Sequence, residues 1–147
     1  MVRITIRNLQ KKVFVYPQKI KEIINRILKE EKIKGKGEIT ICFINDTLIR
    51  KLNKKYLKKD SPTDVLAFNI ADPKERGGLY ADILISTDTA LRNAKTFNTT
   101  PLYELKLYSI HGLLHLLGYD HEKSLAEQRK MEKLEKEILA KLGIKVL

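Results

Sequence analysis

Apolar residues recur along this chain at two periods, and the switching between them lays out its elements. Val2, Ile4 and Ile6 alternate with Arg3, Thr5 and Arg7, the two-residue period of a strand. From Pro17, which suits the first position of a helix, Ile20, Ile23, Ile24, Ile27 and Leu28 fall on one helical face to about Glu31. Gly35 and Gly37 predict a turn, and Glu38 to Ile44 a strand. Asn45 or Asp46 then caps a helix that carries Leu48, Ile49, Leu52 and Tyr56 inward and Arg50, Lys51, Lys54, Lys55 and Lys58 outward, until Ser61-Pro62 breaks it. Val65 to Ile70 reads as a strand, Asp72-Pro73 to Gly77-Gly78 as a charged, mobile loop, and Leu79 to Ile85 as a strand. Ser86 caps a helix to about Phe97, and Pro101 opens a long apolar helix. Ser124 caps a last helix to Leu142, closed by Gly143. Strands mixed with helices, without repeat or linker, predict one domain over residues 1–147, an α/β sandwich.

Composition narrows the class. A chain of 147 residues can bury a proper core as one domain. Its single Cys42 excludes an intramolecular disulfide, fits a reducing cytoplasmic compartment and reads as a small buried hydrophobe. No apolar run reaches the length of a membrane span. The net charge is +11, and it is uneven. The first sixty residues hold seventeen Lys and Arg against six acids, while the remainder holds twelve of each. Six of those cations fall within residues 50–59. Such a field favours a polyanionic partner, nucleic acid first, with Arg50, Lys51, Lys54, Lys55, Lys58 and Lys59 as candidate contacts.

The chemistry concentrates in one stretch. All three histidines lie within His111-Gly112-Leu113-Leu114-His115-Leu116-Leu117-Gly118-Tyr119-Asp120-His121. His111 and His115, four apart, share a helix face and can grip one metal ion. Gly118 can end the helix in the left-handed conformation, so that the chain turns and brings His121 in as a third ligand. Three protein ligands leave a tetrahedral zinc one open position, the catalytic arrangement. The spacing matches the long zinc-protease motif except that Gly112 stands where the general-base Glu would be. The pattern keeps the metal cradle and argues against proteolysis by that mechanism.

The same stretch, His111-Gly112-x-Leu114-His115-Leu116-Leu117-Gly118-Tyr119-Asp120-His121, resembles the signature of the YbeY family, bacterial metal-dependent endoribonucleases of ribosomal RNA maturation. Leu52-Asn53-x-x-Tyr56-x-x-Lys59-Asp60-x-Pro62-Thr63-Asp64-Val65-Leu66-x-Phe68 resembles it too, with Ala81-Asp82-Ile83 and Met131-Glu132 as weaker matches. The resemblance implies an α+β fold of zincin type, a mixed sheet of about four strands packed with helices. It implies one zinc held by His111, His115 and His121. It further implies a single-strand-specific endoribonuclease acting in 16S rRNA 3′-end maturation and ribosome quality control, with ribosomal RNA and the small ribosomal subunit as partners. One position departs: Leu57 stands where the family usually has an Arg. Lys58 and Lys59 adjoin it, but a lysine is not a bidentate phosphate clamp.

Zinc lowers the pKa of bound water and polarises an anionic oxygen, which suits a phosphodiester. Either that water or the ribose 2′-OH could be the nucleophile. The catalytic candidates are Lys59, Asp82 and Asp120. Asp120 is either a partner orienting a histidine or a turn residue, and Asp82 either faces the site or is a buried structural acid. A second reading is a ribosome-associated assembly factor whose metal mainly stabilises the fold. A hydrolase of small phosphorylated substrates is a third, disfavoured because a small substrate needs no extended basic face.

Overall fold

Parallel neighbours in a sheet need crossovers, and this chain supplies helices between its strands. The computed structural model of the chain describes residues 1–70, 78–120 and 124–145. In order the elements are β1 Val2–Asn8, α1 Pro17–Glu30, β2 Lys36–Ile44, α2 Asp46–Leu57, β3 Val65–Asn69, β4 Gly78–Ser86, α3 Thr87–Phe97, α4 Pro101–Leu116 and α5 Leu125–Lys141. The strands form one mixed sheet in the order β1-β2-β4-β3. β1, β2 and β4 run parallel, and β3 lies antiparallel to β4 at the edge. This is the α+β class with a four-stranded mixed sheet that the motifs implied.

The sheet buries both faces unequally. Ile39, Ile41 and Phe43 of β2 and Ile83 and Ile85 of β4 enter the main core with Ile20, Ile24 and Ile27 of α1 and Leu105, Ile110 and Leu113 of α4. Burying each large aliphatic side chain contributes about 1.5–3 kcal/mol before entropy is counted. The alternate residues Cys42 and Ile44, with Leu66 of β3, form a smaller core under Ile49 of α2. α4 is apolar all round because α1, α3, α5 and the sheet enclose it. Cys42 is buried, and burial pushes its thiol up, so it is inert. No helix among the described residues is long and apolar enough to cross a membrane.

Three details differ from the sequence pattern. Gly37 belongs to β2 rather than to a turn: a Cβ there would lie 2.0 Å from the Leu79 carbonyl oxygen, so the neighbouring backbone demands glycine. Gly35, at φ +104°, makes the turn alone. In α2 the inward stripe is Ile49, Leu52 and Asn53, while Leu48 and Tyr56 are exposed; Tyr56, at 54% exposure, leans on Phe68 with ring centroids 5.2 Å apart. Most of the charged loop expected to be mobile, residues 71–77, lies outside the described residues.

The caps expected at Asn45, Ser86 and Ser124 hold, and Thr100 adds one that the sequence pattern did not predict. Asn45, Ser86, Thr100 and Ser124 each accept a hydrogen bond from the backbone N–H three residues on. Asp46 has a different use. It accepts from Ser86 Oγ at 2.6 Å, from Thr89 Oγ1 at 2.9 Å and from Arg92, and its N–H donates to Asp88 at 2.9 Å. The first turns of α2 and α3 are thereby locked together.

Candidate functional site

The site begins with how α4 seats on the sheet. A Cβ at Gly112 would lie 2.9 Å from Ile83 Cγ2 and 3.1 Å from Val65 Cγ2. Glycine lets the helix lie flush on β3 and β4; a Cβ there would press on both methyl groups, and a glutamate would press harder. His111 and His115 leave the helix one turn apart, with ring centroids 5.6 Å apart and planes at 70°. His111 is half-buried and His115 exposed.

The helix then ends as the glycine required. Tyr119 N–H donates to Leu114 O and Gly118 N–H to His115 O, both at 3.1 Å, with Gly118 at φ +103°. Tyr119 is held in place by its hydroxyl, which donates to Glu31, just past the C-terminal end of α1, at 2.8 Å. Asp120 follows, half-buried. His121 lies outside the described residues. Among the described residues no three His, Cys, Asp or Glu side chains form a metal-holding group.

Glu135 of α5 was not among the sequence candidates. Its Oε1 lies 2.5 Å from His111 Nδ1. Burial would push the His111 pKa down, but the hydrogen bond and charge of Glu135, with the charge of Asp64, outweigh it and raise it. A carboxylate on Nδ1 fixes the ring and leaves Nε2 for another partner, the usual arrangement behind a metal-ligating histidine. A signal existed in the sequence. Met131, Glu135, Ile138 and Leu139 form one buried stripe, and a glutamate in such a stripe needs a partner.

Beside this pair lies a cavity of about 580 Å³, bordered by Asp64, Asn93, Phe97, Tyr108, Glu135 and Lys136. Its inner wall is a satisfied polar chain. Asn93 donates to Tyr108 Oη at 2.7 Å, Tyr108 donates to Glu104 at 3.3 Å, and Thr99 donates to the other oxygen of Glu104 at 2.9 Å. Burial pushes the Tyr108 hydroxyl well up, so it remains a neutral donor.

The remaining candidates are placed as follows. Asp82 shares its strand parity with Leu84, on the α2 face, whereas Ile83 meets Gly112. The sheet therefore separates Asp82 from the histidines, and the reading that it faces them is corrected. Burial raises its pKa, Arg7 opposes this, and Glu38 adds to it. The basic helix is partly self-neutralised: Arg50 Nε lies 2.8 Å and Lys54 Nζ 3.8 Å from Asp60. Lys51, Lys55, Lys58 and Lys59 are exposed, with Lys55 Nζ 5.2 Å from the Tyr56 ring centre. Leu57 is the exposed last residue of α2. Asn53 donates to Ser61 O at 2.9 Å, which fixes the return from α2 toward Asp64 and β3.

A family model described as Endoribonuclease YbeY matches residues 4–143. An Endoribonuclease YbeY of Syntrophotalea carbinolica is 35% identical over 146 residues, 97% of each chain. An Endoribonuclease YbeY of Aquifex aeolicus is 45% identical over 108 residues, 72% of this chain and 71% of its own. The solution structure of TM1509 from Thermotoga maritima matches at a TM-score of 0.63 and 30% identity, covering 96% of this chain and 91% of that one. Matches of that extent, in sequence and in fold, leave one conclusion: the chain belongs to the YbeY endoribonuclease family.

Proposed function

We propose that this protein is a zinc-dependent endoribonuclease that cleaves single-stranded RNA in the cytoplasm, acting on the 3′ end of 16S rRNA in the small ribosomal subunit and in ribosome quality control. The observation that carries this reading is the His111–Glu135 contact beside His115. Two imidazoles on one helix face, one of them already oriented by a carboxylate, fit the donor set of a borderline-soft divalent cation. His111, His115 and His121 would hold one ion. That ion would lower the pKa of water at the site and neutralise charge on a phosphodiester.

The rest of the work falls to the chain. Lys51, Lys55, Lys58 and Lys59 attract and hold phosphates, with Arg50 and Lys54 already engaged by Asp60. Lys59 supplies charge near Leu57, and Asp120 is a candidate to orient a histidine ring. Gly112 keeps a general base off the helix.

The test is cleavage of single-stranded RNA by wild type, Leu57→Arg, Lys59→Ala and His115→Ala, with and without a zinc chelator. Wild type should cleave, chelation and His115→Ala should abolish cleavage, and Leu57→Arg should raise it by up to about 10²-fold if a charge donor limits the rate. Equal trace cleavage by all four would overturn the nuclease reading. It would favour the assembly factor, which the missing Arg at position 57 already suits.

A further inference from the structure

Between β1 and α1 the chain runs Leu9-Gln10-Lys11-Lys12-Val13-Phe14-Val15-Tyr16 without regular structure, yet its side chains alternate as in a strand. Val15 is buried and Val13 packs against the main core. Phe14, 71% exposed, and Tyr16, 45% exposed, project to solvent. Their rings meet edge to face, with centroids 4.5 Å apart and planes at 72°.

The display is held, not loose. The Gln10 carboxamide donates to Asn8 Oδ1 and Val13 O, both at 2.8 Å. Its oxygen accepts from the Lys12 and Val13 N–H groups at 2.9 and 3.0 Å. Lys12 ties the segment to Asp88 of α3 at 2.9 Å. Tyr16 sits at φ +47°, a strained setting for a tyrosine. Two exposed rings gain little for folding, so their fixed presentation calls for a ligand.

The surroundings say which ligand. Lys19 Nζ lies 5.5 Å from the Tyr16 ring centre, and Lys11 adds a second exposed cation. Lys106 of α4 is close enough to Lys19 to feel its charge. Lys106 precedes His111 by five residues, about 7.5 Å along the helix axis and about 140° around it, so a strand reaching both must pass around α4. Aromatic faces with cations beside them are how proteins hold unpaired bases and their phosphates without reading sequence.

We infer that Phe14 and Tyr16, with Lys19, form a second stacking site for single-stranded RNA, which takes one or two unpaired bases of the strand outside the metal centre. The inference rests on the endoribonuclease reading for the identity of its ligand. It adds a substrate-length preference: RNA long enough to reach both places binds better than RNA that reaches one.

The test is fluorescence anisotropy of labelled 4- and 12-nucleotide oligoadenylates with the full chain in the non-cleaving His115→Ala background. The variants are Phe14→Ala, Phe14→Leu, Phe14→Trp, Tyr16→Gly and Lys19→Glu. Phe14→Ala should weaken 12-mer binding by about tenfold and remove most of the 12-mer's advantage over the 4-mer. Phe14→Leu should behave like Ala and Phe14→Trp like wild type, because a stacking site needs a ring and not merely apolar surface. Tyr16→Gly tests the second ring without adding strain at positive φ, and Lys19→Glu should flatten the salt dependence. A 12-mer affinity within twofold of the parent in Phe14→Ala and Tyr16→Gly would overturn the inference. So would light scattering that shows these variants convert a dimer to a monomer, since the rings would then be a contact between copies. If wild type holds the 12-mer through these rings yet cleaves no RNA, the nuclease reading fails and the stacking site stands.

Discussion

Glu135 Oε1 lies 2.5 Å from His111 Nδ1, which joins α5 to the histidine helix at the point where chemistry is expected. Twenty-four residues separate the pair in sequence. The contact occupies Nδ1, so Nε2 is the nitrogen through which this imidazole would hold a metal. If that is its purpose, Glu135→Ala should weaken zinc affinity by about 10–100-fold in a chelator competition. Glu135→Gln, which keeps a hydrogen-bonding oxygen, should lose less than Glu135→Ala. Zinc affinity equal to wild type in both variants would reduce Glu135 to a core acid.

Gly112 offers a test whose sign is informative. Alanine for glycine inside a helix ordinarily stabilises by about 1 kcal/mol. Here the new Cβ meets Ile83 and Val65 at 2.9 and 3.1 Å. Gly112→Ala should therefore destabilise, by about 1–3 kcal/mol in urea unfolding. A gain in stability would mean that the helix can lift from the sheet freely.

Asp46 carries an acid-side dependence. Burial pushes its pKa up, but the hydrogen bonds from Arg92, Ser86 and Thr89 outweigh this, and the net shift is down. A depressed carboxylate stabilises fully above the unfolded value, about 3.9, and the contribution is lost as pH falls through the folded value. Asp46→Asn should cost about 1 kcal/mol near pH 6, a modest figure because the Arg92 side chain is largely exposed. The gap between wild type and variant should close below about pH 4. A gap that stays constant with pH would assign the effect to packing.

On α2, the cations differ by what they already hold. Lys51→Glu with Lys55→Glu should weaken single-stranded RNA binding across sequences and reduce the salt slope by about 1.4, for two phosphate contacts. Lys54→Glu should do less, since Lys54 and Arg50 share Asp60. A larger effect from Lys54 would show that RNA displaces Asp60 on binding.

What the sequence disclosed was what is local. Gly118 was legible as the end of the helix because a left-handed terminus is a property of one residue and its hydrogen bonds. The caps at Ser86 and Ser124 were legible for the same reason. The faces of α2 were not. Which of Leu48, Ile49, Leu52 and Tyr56 turns inward depends on how the helix docks, and Asn53 took a place that periodicity gave to an apolar residue. Strand period put Asp82 and Ile83 on opposite faces but could not tell which face bears α4. Glu135 was hidden because its partner comes from another helix. Gly37 was misread because a close approach between two backbones leaves no mark in either segment alone.

The flush seat of Gly112 also bears on ancestry. The spacing of the histidines equals that of the zinc proteases, so one substitution would appear to separate the two chemistries. In this scaffold that step is closed: a glutamate at position 112 has no room until Ile83 and Val65 have been reduced. Hollowing those positions opens a void in the main core before any new activity is gained. A variant of this chain on that route should therefore lose stability before it gains a base, so the seat of α4 holds this scaffold to the chemistry it has.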